Sequence, residues 1–78
     1  MSLTTTLELR AIKGEFRVIG INSLVDKLYL VDDFKYLEHA ESRAELEVNV
    51  DRYLNISSSS RYIVYDDKGN VVYEAKYN

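Results

Sequence analysis

The chain closes on Arg61–Asn78, "RYIVYDDKGNVVYEAKYN", and how this stretch pairs with itself decides which side of the fold is inside. Asp67-Lys68-Gly69 reads as a three-residue hairpin loop, with Gly69 in the left-handed position of a type I turn plus bulge. Asp66 then pairs with Asn70, Tyr65 with Val71, Val64 with Val72 and Ile63 with Tyr73. On that register one face collects Ile63, Tyr65, Val71, Tyr73 and Ala75, the better core face. The other collects Tyr62, Val64, Val72 and Glu74. A hairpin packed on one side by a helix should be polar on the other, and this one is not.

The start of the chain repeats the pattern. "LTTTLELRAI" (3–12) alternates, with Leu3, Leu7, Leu9 and Ala11 on one face, as in a half-buried strand. Lys13-Gly14 offers a tight turn, and "EFRVIGI" (15–21) follows, rich in β-branched residues. Pairing Ile12 with Glu15 puts Ala11 opposite Phe16, Leu9 opposite Val18 and Leu7 opposite Gly20, all on one face, at the expense of setting Arg10 against Arg17. The outer face of this hairpin then carries Ile12, Ile19 and Ile21. "KLYLV" (27–31) reads as a third strand.

Asp32 or Asp33 suits a helix N-cap. In "FKYLEHAESRAELE" the residues Phe34, Leu37, Ala40, Ala44 and, further on, Val48 form one helical stripe. The alanines let such a helix lie close to a sheet. Leu46 points away from the stripe, and 46–56 fits either a strand or a further helical face. "SSSS" (57–60) has the composition of a connector.

The 78 residues make a single domain, 1–78, with 46% hydrophobic and 29% charged residues, an ordinary globular balance. A domain this short buries only about 60% of its unfolded surface. It has no cysteine to cross-link it or to supply a thiolate metal site, so self-association is the remaining staple. Net charge is −3, unevenly spread. Residues 32–51 hold seven acidic and two basic side chains, while 1–31 and 52–78 each hold four basic and three acidic. This balance argues against a phosphate backbone as ligand. No secretory h-region or membrane-spanning apolar run is present, which points to the cytoplasm.

Candidate chemistry is sparse. Asp66 and Asp67 lack the alternating spacing and distal Glu of a calcium loop and are explained as turn residues. Asp32 and Asp33 are adjacent, so their side chains diverge, and a helix start explains them better than acid–base work. His39 stands alone, the serine run has no base beside it, and Gly14, Gly20 and Gly69 are scattered rather than gathered into a phosphate loop. Tyrosines on a sheet can stack bases, but the acidic total opposes it. No catalytic residue, cofactor or metal is expected, and no enzyme.

These observations predict an α+β fold: an antiparallel sheet of about five strands with one helix on one face, in the order β-β-β-α-β-β. A small SH3-like barrel with an inserted helix is the alternative. The expected function is a non-catalytic protein-binding or regulatory module that forms a homodimer through an apolar sheet face made by Ile19, Ile21, Tyr62, Val64 and Val72. The alternative is an acidic decoy for a basic nucleic-acid-binding partner, using Asp32, Asp33, Glu38, Glu41 and Glu45 within 32–51.

Overall fold

The computed structural model describes residues 8–22, 27–54 and 60–76. Four strands and one helix follow in the order β1 (Phe16–Asn22), β2 (Lys27–Phe34), α1 (Leu37–Tyr53), β3 (Ser60–Tyr65) and β4 (Val71–Lys76). The strands form one antiparallel sheet in the spatial order β2-β1-β3-β4. The α+β class stands, with four strands among the described residues rather than five and two before the helix rather than three.

The difference lies in the first segment. Lys13-Gly14 does reverse the chain: the Glu15 N–H donates to the Ile12 carbonyl at 2.9 Å and Gly14 has φ +81°. Residues 8–12, however, do not pair with β1. A strand has two edges, and those of β1 are taken by β2 and β3, as in Ile19 opposite Leu30 and Ile63. The Ala11 N–H goes instead to the Asp66 carbonyl, 3.0 Å away, and the Arg17 guanidinium holds the Glu8 carbonyl at 2.8 Å. Leu7, the proposed partner of Gly20, and Leu3, placed on the same face, lie outside the described residues.

Helix α1 packs by Leu37, Ala40, Ala44 and Val48 of the expected stripe, but Phe34, also expected in it, ends β2, and the helix begins at Leu37. Ala40, Ala44 and Val48 are buried against Val18, Tyr62, Val64 and Ala75, with Phe16, Val31, Phe34, Leu37 and Tyr73 around them. Ala40 and Ala44 are fully buried, and side chains this small let a helix lie close to a sheet. The helix runs through to Tyr53, which resolves most of 46–56 as helical; Asn55 and Ile56 lie outside the described residues. Its N-cap is Tyr36, with no side-chain cap bond, and neither Asp32 nor Asp33 serves. Asp33 is held instead by Arg17, through Nε to Oδ1 at 2.7 Å and Nη2 to Oδ2 at 3.0 Å. Asp32 Oδ1 accepts the Asp33 N–H.

The β3–β4 hairpin turns as expected. Asp66 N–H donates to the Asn70 carbonyl at 2.9 Å and Gly69 has φ +84°. Tyr65 pairs with Val71, but the register then slips: Val64 meets Tyr73 and Ile63 meets Glu74. Val72 is therefore an extra residue in β4, a bulge. A slip of one residue exchanges the faces of a strand. Tyr62 and Val64 thus join Tyr73 and Ala75 beneath α1, while Ile63 turns outward beside Ile19. A second register shift, between Val18 and Ile19, leaves Val31 as the extra residue in β2.

The helix–sheet spacing makes a direct test. Ala44→Leu should cost about 1–3 kcal/mol by overpacking. Leu46→Ala, on the exposed side of the same helix, should change stability by no more than about 0.5 kcal/mol. Urea denaturation followed by circular dichroism measures both, and equal losses would show that the stripe is not the inner one.

Candidate interaction surface

A chain of hydroxyls crosses the helix-facing side of the sheet. Asp51, near the end of α1, is the one buried charged residue among those described, 7% exposed. Its Oδ2 accepts the Tyr62 hydroxyl at 2.6 Å, and the Tyr62 oxygen lies 3.0 Å from that of Tyr29. A carboxylate only accepts. Tyr62 therefore donates to Asp51 and accepts from Tyr29, so the chain runs Tyr29 to Tyr62 to Asp51. The two rings meet edge to face, 6.4 Å between centroids. Burial pushes the Tyr62 phenol well above its ordinary range, and its bonds to Asp51 and Tyr29 add to this. Gly20, opposite Tyr29 on β1, leaves the space this ring fills; a Cβ there would collide with it.

The five residues expected to share one outer face do not share one. Tyr62 and Val64 are buried beneath α1. Ile19 is fully buried on the opposite side, with Ile21 half-buried beside it. Val72 alone is exposed, at the β4 bulge. The cause is the one-residue slip at Val72, which carries Tyr62 and Val64 across the sheet.

Apolar side chains remain open elsewhere. Edge strand β2 exposes Leu28, Tyr29 and Leu30 in succession. Leu28 and Leu30 stand opposite Ile21 and Ile19, on the face away from the helix. The outer side of α1 exposes Leu46, Val50, Tyr53 and Leu54 at helical spacing. The opposite edge strand, β4, exposes Val71 and Val72 but also carries Glu74 and Lys76, and Glu74 pairs with Arg61 at 3.1 Å.

The acidic candidates are spread out and partly neutralised. Asp33 pairs with Arg17; Asp32 lies 3.7 Å from Arg43, which also holds Glu47 at 2.8 Å. Glu38 is exposed in the first turn of α1, and Glu41 and Glu45 line a shallow depression with Leu46, Asn49 and Tyr73. Glu45 accepts a bond from the Tyr73 hydroxyl, which pushes that phenol up to about 12. The Asp66 carboxylate is held below its ordinary value of 3.8 by the N–H groups of Asn70, at 2.8 Å, and Lys68, at 2.9 Å. That is the work of a turn residue. His39 is exposed and stacks edge to face on Tyr36. Among the described residues no three His, Cys, Asp or Glu side chains gather as metal ligands would, and no helix is long and apolar enough to cross a membrane.

No protein-family model, curated protein or solved structure matches this chain. Its surfaces are therefore interpreted from their own chemistry.

The tyrosine chain was not anticipated. The one available signal was Gly20 in a β-branched run, since an isolated glycine in a strand often marks a close approach. Tyr62→Phe should cost about 1–3 kcal/mol, because Asp51 is left buried without this donor. Tyr29→Phe should cost about 0.5–1.5 kcal/mol, an ordinary hydrogen bond. A smaller loss for Tyr62→Phe than for Tyr29→Phe in urea titrations would contradict the stated direction of the chain.

The Tyr73 phenol gives a pH test. Its folded value is raised from 10.0 to about 12, so its contribution to stability is complete below pH about 10 and lost as pH rises through 12. Ultraviolet titration of the folded protein should show Tyr73 ionising near pH 12, and Tyr73→Phe should remove that step.

Proposed function

We propose that this protein is a small non-catalytic interaction module that first binds a second copy of itself, through the apolar sheet surface around β2. One observation carries the reading. Leu28 and Leu30 stand exposed on the sheet face away from the helix, next to half-buried Ile21, in an edge strand that carries no charge between them. Water-facing Leu side chains are common singly, but paired on a sheet edge they are a site for association. Burying them is worth about 25 cal/mol per Å² before the costs of association. This keeps an apolar sheet surface as the contact and moves it from Ile19, Ile21, Tyr62, Val64 and Val72 to Leu28 and Leu30 of β2.

The decoy reading has less support. Asp32 and Asp33 face arginines of the same chain, which leaves Glu38, Glu41 and Glu45 to imitate a row of phosphates.

Light scattering coupled to size-exclusion chromatography tests the proposal. A dimer is expected at tens of micromolar, roughly, and it should persist or tighten between about 0.05 and 0.5 M salt. Leu28→Lys with Leu30→Lys should yield a folded monomer. A wild-type monomer throughout that range would remove the reading. A partner captured at low salt and lost at high salt would favour the acidic one.

A further inference from the structure

We propose that two copies of this chain join edge to edge through β2, antiparallel across a twofold axis centred on Tyr29, to make one continuous sheet. This rests on the self-association just proposed and specifies its geometry.

The two edges of the sheet are not equivalent. Natural edge strands are blunted by bulges and charges. Edge strand β4 has both: the Val72 bulge, and Glu74 and Lys76 beyond it. Strand β2 is bulged only at Val31, and Lys27–Leu30 before it is regular, exposed at every residue, with Lys27 its single charge. Among the described residues, no strand pairs with the outer edge of that stretch.

The register follows from alternation. In an antiparallel pair, residues opposite each other point to the same face. A twofold axis must then pass through a residue and not between two. Leu28-Tyr29-Leu30 is symmetric about Tyr29, so Leu28 of each copy meets Leu30 of the other. Both lie on the face away from the helices, where they continue the apolar surface of Ile21. An axis through Leu30 instead sets Leu28 against the charged Asp32.

Tyr29 is suited to the central position. Its ring fills the space above Gly20 and its hydroxyl is tied to Tyr62, so the side chain is directed toward the helix and away from the leucines. An edge held in its bound conformation loses less entropy on pairing. A twofold contact is also closed, since it consumes the β2 edge of both copies and leaves β4 as the end strand on each side among the described strands.

The chain has no cysteine, so introduced thiols report contacts cleanly. Leu28→Cys and Leu30→Cys are made separately; both sites are exposed, so folding is retained, as circular dichroism would confirm. Under mild oxidation a mixture of the two should form linked dimers at least about tenfold faster than either alone, because only the mixture brings the thiols within bonding distance. Faster linking by either variant alone would overturn the register. If the wild-type protein is a dimer but neither cysteine variant nor their mixture links, edge pairing falls and self-association stands; loss of that dimer on Leu46→Lys with Val50→Lys would place the contact on α1. A wild-type monomer would remove both.

Discussion

A carboxylate taken out of water costs several kcal/mol unless donors replace its hydration, and Asp51 is placed under that constraint in a core of very few side chains. Its donor is Tyr62, the largest fully buried side chain, whose hydroxyl in turn needs Tyr29. The demand fixes three elements at once. The last turns of α1 must lie over β3, β3 must present Tyr62 to the helix, and β2 must lie close enough for Tyr29 to reach across Gly20. Nonpolar packing alone would tolerate a shift of the helix by a turn or of β3 by a residue. The hydrogen-bond chain does not, because each shift strands a buried polar atom.

The same requirement explains the slip in the second hairpin. Strand β3 is apolar on both faces, with Tyr62 and Val64 on one and Ile63 and Tyr65 on the other, so alternation cannot say which face is inner. The loop residues Asp66, Gly69 and Asn70 were legible and behave as turn chemistry dictates. The Val72 bulge was not, since nothing local distinguishes Val71-Val72 from regular strand. It is the three-dimensional need to bury Tyr62 and Val64 together with Tyr73 and Ala75 that selects it. The inference from alternation that Tyr62 and Val64 share an outer face with Val72 failed for this reason.

Other parts of the reading failed by competition between sites. The alternation of 3–12 is a sound strand signal, but β1 is already flanked by β2 and β3, and no free edge remains for residues 8–12. Asp33 is a good capping residue, yet a bidentate arginine is a stronger partner for a carboxylate than a backbone N–H, and Arg17 stands directly opposite it. The inner stripe of α1 was legible because Ala40, Ala44 and Val48 recur at helical spacing with no rival pattern. Leu46 and Val50, which obscured the helix in sequence, are explained as an outer stripe of the same element.

Joining the two hairpins has a kinetic consequence. Strands β1 and β2 are near neighbours in sequence, as are β3 and β4, so each pair can zip up locally. Strands β1 and β3, at the centre of the sheet, bring together residues as distant as Arg17 and Tyr65. The entropy of closing that long loop is lost before the central ladder returns any enthalpy. Collapse of this molecule should therefore be limited by one late encounter between two preformed halves, with α1 as the tether that determines how often they meet.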